Sequence, residues 1–520
     1  MRLLSGTTAL AIAVVAAPAA GWTGEGSGDA VLELSRAGLV ERLAASNPAV
    51  ADALAAVREA EIAARALDAR WSWGLQGSVG YDRNESYPGG SGRGELSTDG
   101  TGRWSLGLAK ALPWGTTMGL TLAQFRRTQS VPCSTGDEEG LYIPCLFFGA
   151  EKSPIELGPW YTTALNVTLT QPLLKGAGRE VSALVERQAA LEREARRKSA
   201  EATATRTSLE ALTGYAQWIG AQQEVADLKA SLERSERLTE MASALVAADQ
   251  LAEVEVASFE VRALSLREGL LGAEESLRGL GQGLAAAVGM EPGATVTPRE
   301  PLRVWSAVTE SGAQLCAEAV EIDPRLQELR VRRKQAAVAV EAATDDGRPA
   351  LDLTGSLAPS GTSDGWGASL TDAAAMEARG YGAALTLTMP LDHLAADARR
   401  EQAALAEERL AEQERALKQV VCREVMGLRD RLERLAERRA LAAERAERAA
   451  RLLEAREAKF KAGYGTMEEL FTALEGSEQS LAADRRLAVE QELLHLQLLA
   501  ARGRLLTFFE AGDSNAVTTP

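Results

Sequence analysis

Leu169-Thr170-Gln171-Pro172-Leu173-Leu174 and Leu387-Thr388-Met389-Pro390-Leu391 decide the fold, because each closes a strand pattern and opens a very long helical one. Ahead of Pro172, Tyr161, Leu165, Val167 and Leu169 alternate with Thr162, Ala164, Asn166, Thr168 and Thr170. Ahead of Pro390, Tyr381, Ala383, Leu385, Leu387 and Met389 alternate with Gly382, Ala384, Thr386 and Thr388. A period of two with one apolar side predicts strands. Beyond these junctions no proline occurs until Pro292 and Pro520, and helical patterning runs from Gly178 to about Ala248 and from about Leu391 to Ala462. At 1.5 Å per residue each rod would be roughly 100 Å long. Rods of that length must pack against other helices along their whole extent.

The same plan occurs twice. Asn47-Pro48 opens a helix leading to a strand in which Trp71, Trp73, Leu75, Val79 and Tyr81 alternate with Ser72, Gly74, Gln76, Ser78 and Gly80. Asp323-Pro324 opens one leading to Leu351, Leu353 and Leu357 against Asp352, Thr354 and Ser356. Each half therefore reads as helix, strand, loop, strand, long helix, shorter helix, an internal repeat. The first repeat covers 21–290 and the second 312–512. Residues 291–311, with Pro292, Pro298 and Pro301, form the linker, and 513–520 a flexible tail. Arg2, an apolar run from Thr8 to Ala17 and the small residues Ala17, Pro18, Ala19 and Ala20 read as a signal peptide over 1–20.

Composition narrows the function. Lys plus Arg number 57 against 73 Asp plus Glu, a net charge of −16, so no basic face is available for nucleic acid. Two histidines and four scattered cysteines offer no metal set, cofactor site or nucleophile with a base, so the chain is not expected to be an enzyme. His393 and His495 read as structural. Cys133 and Cys145 are a candidate disulfide within one polar loop. Cys316 and Cys422 read as small buried residues.

Strands of 9 to 11 residues with one apolar face have the length and alternation of membrane-spanning barrel strands. Trp71, Trp73, Tyr81, Trp104, Trp114, Trp160, Tyr161, Trp366 and Tyr381 crowd near the strand ends, as an interfacial girdle does. Four strands cannot close a barrel in lipid, where an open edge is costly, so several copies must share one. The fold class is thus α+β: an oligomeric transmembrane β-barrel continued by a long α-helical coiled-coil barrel. An exported coiled-coil scaffold is the alternative, favoured by the rods alone. Between the first two matching strands, Trp104, Leu106 and Leu108, the turn Pro113-Trp114-Gly115, then Met118, Leu120 and Leu122 form an extra hairpin near 103–126. It either projects as an outer ribbon, the preferred reading, or adds two spanning strands per chain.

The duplicated junctions carry a resemblance, together with Gln250-Leu251-Ala252-Glu253-Val254-Glu255-Val256 and Lys461-Ala462-Gly463-Tyr464-Gly465-Thr466-Met467-Glu468-Glu469-Leu470. In order and duplication the chain resembles the TolC-like outer-membrane efflux and secretion ducts across nearly its whole mature length. That resemblance implies a homotrimer with a twelve-stranded barrel in outer-membrane lipid, a periplasmic helical tunnel, a periplasmic adaptor protein, and an inner-membrane pump or ABC transporter. It places a tip where each long helix turns, near Asp249 and Gly463, with Asp249 departing from the glycine the family favours. Glu253, Glu255, Glu468 and Glu469 match the positions of acidic aperture residues. Leu245, Val246, Ala247, Asp249, Ala462, Gly463 and Tyr464 form the expected adaptor-docking tip, and Pro172 and Pro390 mark the strand-to-helix junctions.

Overall fold

A computed structural model describes residues 31–86, 97–131, 154–249, 252–376, 378–462 and 464–510. The expected signal peptide, the Cys133–Cys145 pair, Gly463 and the C-terminal tail lie outside these. The first half runs β1 (Val31–Leu34), α1 (Arg36–Ser46), α2 (Pro48–Asp68), β2 (Gly74–Ser86), β3 (Ser97–Ala111), β4 (Thr117–Val131), β5 (Ile155–Pro172), α3 (Arg179–Ser182), α4 (Leu184–Ala247) and α5 (Glu253–Ala287). The second runs β6 (Thr295–Pro298), α6 (Gly312–Ile322), α7 (Pro324–Asp346), β7 (Ala350–Ser363), α8 (Trp366–Ala374), β8 (Ala378–Thr388), α9 (Leu394–Lys461), α10 (Met467–Ala501) and α11 (Leu505–Glu510).

Local chemistry sets the helix starts. Asn47 Oδ1 accepts from the Ala49 and Val50 amides, and Asp323 Oδ1 accepts from those of Arg325 and Leu326. Pro48 and Pro324 follow at the first helical position, where a missing N–H costs nothing. The long helices α4 and α9 have 64 and 68 residues, about 100 Å each. Near the sheet α4 packs between α2 and α7, and α7 packs on α9; in the distal half the neighbours run α5, α4, α10, α9. Among the described residues no helix is long and apolar enough to cross a membrane.

One six-stranded antiparallel sheet has the order β2-β3-β4-β5-β7-β8. Two expectations are corrected here. The extra hairpin is longer than 103–126 and is no outer ribbon: β3 and β4 lie within the sheet, between β2 and β5. Leu106 opposes Leu122 and Leu108 opposes Leu120, so the hairpin's apolar row aligns with those of its neighbours and is satisfied by lateral pairing. Trp71 belongs to a single helical turn, Ala69–Trp71, and the strand begins only at Gly74.

The first junction also differs from a direct strand-to-helix passage. After Pro172 the chain makes a loop through Gly176 and Gly178, both at positive φ, and the short α3 before α4 begins. Between β8 and α9, Pro390 lies in a short connection, and Asp392 Oδ1 accepts from the Leu394 amide at the start of α9.

Three apolar clusters hold the helices. The first, around Leu39, Leu43, Tyr215, Leu284 and Leu496, lies under a small parallel pair of β1 with β6. Here the expected linker is part of the packed structure: Val296 is buried and Trp305 packs on the same cluster. The second joins α6, α7, α9 and α10 through Leu315, Leu326, Val425, Leu432 and Leu498. The third, around Phe259, Phe460, Leu470 and Leu474, gathers α4, α5, α9 and α10 near the helix turns. Cys316 and Cys422 are not lone buried thiols: they form a disulfide joining α6 to α9, with Cα atoms 4.7 Å apart. Helical periodicity places each cysteine on a face but does not reveal that those faces meet.

Candidate functional site

The helix turns come first. Asp249 follows α4 with φ +62° and its N–H donates to the Val246 carbonyl. That left-handed conformation is one an aspartate tolerates better than most residues, so Asp249 fills the glycine role there. At the second turn the Tyr464 N–H donates to the Lys459 carbonyl, and Thr466 caps α10 by accepting from the Glu469 amide. The third cluster places both turns at one end of the molecule, with Phe259 4.8 Å from Phe471 and 6.2 Å from Phe460 between ring centroids.

The candidate acidic residues divide. Glu253 and Glu255 lie in the first turn of α5, and Glu468 and Glu469 in the first turn of α10. A helix N-terminus favours negative charge, which explains all four locally. Glu469 forms an ion pair with Arg456 of α9, whereas Glu468 is exposed with no charged partner among the described residues. The apolar tip residues divide too. Leu245 packs on the third cluster and Val246 is half-buried, so they serve the core of the protomer. Ala247, Asp249, Ala462 and Tyr464 are exposed, Tyr464 to 89%.

The sheet has two chemically distinct faces. One carries Val79, Leu106, Leu122, Leu165, Leu357 and Leu385, with Tyr81, Trp104, Tyr161 and Tyr381 toward the end remote from the helices. The other carries Ser78, Ser105, Thr121, Asn166, Thr354 and Thr386. On that polar face Ser78 and Ser105 hydroxyls lie 2.8 Å apart, and Arg103–Asp82 (2.9 Å) and Arg127–Asp99 (2.6 Å) form ion pairs. Charged pairs at this density belong against water and not against hydrocarbon.

Two features escaped the sequence reading. Helix α8 lies across the apolar face near its remote end. Gln124 Nε2 donates to Thr163 Oγ1 (2.8 Å), to Ser369 Oγ (3.0 Å) and to the Trp366 carbonyl (3.0 Å), while its Oε1 accepts from Trp104 Nε1 (3.1 Å). Gly361 lies beneath: a Cβ there would come within 2.5 Å of Ser369 O. The second is an ionic knot of Arg36, Glu300 and Glu492. It links α1, the connection after β6 and α10.

His495 lies beside that knot, its ring stacked on Trp305 at 4.8 Å, and Nδ1 donates to the Gln491 carbonyl at 2.8 Å. The position fits a structural role. Burial is the main influence and holds this imidazole below its ordinary pKa. The unfolded chain takes up a proton near pH 6.5 and the folded chain only lower, so stability is expected to fall as pH drops through about 6.5 and to level off below the native value. Denaturant midpoints measured from pH 7.5 to 5 should show this slope, and His495→Gln should reduce it.

No family model and no curated protein matches the sequence. Solved structures do. The MtrE outer-membrane channel of Neisseria gonorrhoeae in its open state is 16% identical, with 91% of this chain and 89% of that one covered at a TM-score of 0.63. The Campylobacter jejuni CmeC outer-membrane channel is 11% identical over 90% and 86%, TM-score 0.63. The outer-membrane protein VceC of Vibrio cholerae is 16% identical over 89% and 95%, TM-score 0.60. With a two-faced sheet standing on paired rods of about 100 Å, this chain has the TolC-like fold of the outer-membrane channels.

Proposed function

We propose that three copies of this chain form an outer-membrane channel whose barrel continues into a periplasmic helical tunnel, and that the channel conducts solutes passively and performs no bond chemistry. One observation carries the reading: the protomer is an arc left open on both sides along its length. At the sheet, edge strands β2 and β8 expose both rows, with Val79 and Tyr381 each 87% exposed. In the distal helices the edges are α5 and α9. Helix α5 exposes Val254, Val261, Leu264 and Leu271, an unpartnered heptad seam, and α9 exposes Leu441 and Leu452. A scaffold protein would account for the rods but not for a sheet apolar on one side and ion-paired on the other. The two matching series of elements are read as two repeats related by duplication, with the linker woven between them.

Cyclic symmetry turns one tip glutamate into a ring, and a narrow acidic ring favours cations. Glu468 is the first choice for that ring, with Glu253 and Glu255 beside it, because Arg456 already offsets Glu469. In planar bilayers Glu468→Gln is expected to lower the cation-to-anion permeability ratio about twofold or more, and Glu469→Gln to change it less. An unaltered ratio in the Glu468/Glu469 double variant would reject the gate.

The exposed tip residues Ala247, Asp249, Ala462 and Tyr464 suit the hairpin of a periplasmic adaptor, which would connect the duct to an inner-membrane pump of a tripartite efflux system or to the ABC transporter of a type I secretion system. Cysteines at Ala247 and Ala462 should crosslink to a co-expressed adaptor; crosslinks confined to copies of this chain would count against docking.

A further inference from the structure

We infer that the β3–β4 hairpin is part of the barrel wall, so that β8 of one copy pairs with β2 of the next and three copies close eighteen strands, not the twelve implied by the resemblance. The inference rests on the channel reading and concerns how wide that channel is.

Four observations support it. First, the hydrogen-bonded ladder passes through the hairpin, with one register shift between Arg127 and Gln129 toward the end remote from the helices: Gly77 opposes Leu106, Leu106 opposes Leu122, Leu122 opposes Leu165. Strand β2 has no register with β5, its partner if the hairpin lay outside. Second, both rows continue across the hairpin, Leu106 and Leu122 on the apolar side, Ser105 and Thr121 on the polar side. A ribbon standing in water has no use for an unbroken apolar row.

Third, the hairpin turn is built into the junction feeding α4. The Gly178 amide donates to the Trp114 carbonyl (3.3 Å), Ser182 Oγ donates to the Pro113 carbonyl, and Thr116 Oγ1 donates to Gln171 Oε1. Gly115, at φ +91°, lies so close to the Gly176 carbonyl that a Cβ would collide with it. The hairpin therefore begins at the same level as β5 ends. Fourth, the six strands alternate in direction, so β2 and β8 run oppositely and can join edge to edge as an antiparallel pair without reversing either face. Lipid penalises any edge left open, and a second copy of this chain carries the one edge that continues both rows.

Barrel diameter grows roughly in proportion to strand number, so eighteen strands give about one and a half times the radius of twelve and about twice the cross-section. Helix α8 does not narrow that bore, because it is fastened to the apolar, outward face through Gln124, Thr163 and Ser369. The outer end of the duct would then admit bulkier solutes than a twelve-stranded barrel.

Oxidative crosslinking of the full-length chain in outer-membrane vesicles tests this. The Ser78→Cys/Ser105→Cys pair should close within a chain, and the Ser78→Cys/Asn166→Cys pair should not. Cysteine pairs scanned along the β2 and β8 edges, between positions 76–80 and 380–386, should give covalent ladders ending at three chains. In bilayers the largest polyethylene glycol admitted from the barrel side should have a radius about one and a half times that expected for twelve strands. Channel-forming trimers in which Ser78→Cys joins Asn166→Cys would overturn the strand count and leave the channel reading standing. Monomers without any ladder would overturn both.

Discussion

Replacing Glu492 with alanine is expected to destabilise the helical part of the protomer by about 3 kcal/mol, because it takes from a buried cation its one fully buried partner and leaves only the half-buried Glu300. Arg36 and Glu492 are 4% and 1% exposed, and their ion pair measures 2.9 Å. Glu492 also accepts from the Arg303 amide (3.0 Å) and from Trp305 Nε1 (2.7 Å), so its loss breaks both of these bonds. Arg36 additionally donates to the Pro301 carbonyl and lies over the Tyr215 ring, whose hydroxyl bridges Leu34 O and the Glu300 amide. The knot thus ties β1, α1, the segment after β6 and α10 to α4. Denaturant unfolding of Glu492→Ala followed by helical circular dichroism should show the loss. The Arg36→Met/Glu492→Leu double variant should recover much of it, since both fully buried charges are gone and only the half-buried Glu300 remains. A Glu492→Ala midpoint equal to that of the wild type would contradict the assignment.

Loss of the Cys316–Cys422 bridge should rank beside it. The cysteines are 106 residues apart, and closing a loop of that length restricts the unfolded chain enough to contribute about 4.7 kcal/mol in the chain-entropy model. The enclosed segment contains α7, β7, α8, β8 and the first part of α9, so the bridge fastens much of the second half to itself. Cys316→Ala/Cys422→Ala, or reduction of the wild type, should lower the unfolding midpoint.

Much of this fold is written in residues whose meaning is local. Asn47-Pro48 and Asp323-Pro324 specify helix starts because a short polar side chain caps its own neighbours, and the structure has both caps. Alternation around Leu165–Thr170 and Tyr381–Thr388 specifies strands for the same reason. Asp249 was legible as a turn and takes the left-handed backbone expected of that position.

What escaped reading depends on contacts between residues far apart in the chain. Nothing near Gln124 announces that Ser369, 245 positions away, will be its partner. Cys316 looks like any small buried residue until α6 is laid on α9. The hairpin's alternation was evident, yet its place between β2 and β5 depends on lateral register, which a period of two does not encode. At the tip, the four glutamates were readable as candidates, but only the pairing of Glu469 with Arg456 separates that compensated carboxylate from the other three.

The mass of the detergent-extracted particle, determined by native mass spectrometry, tests the central claim most directly. An arc with open edges at both sheet and helices predicts three copies of the mature chain in one heat-labile particle. A particle containing a single copy, with the two sheet edges left unpaired, would contradict the account.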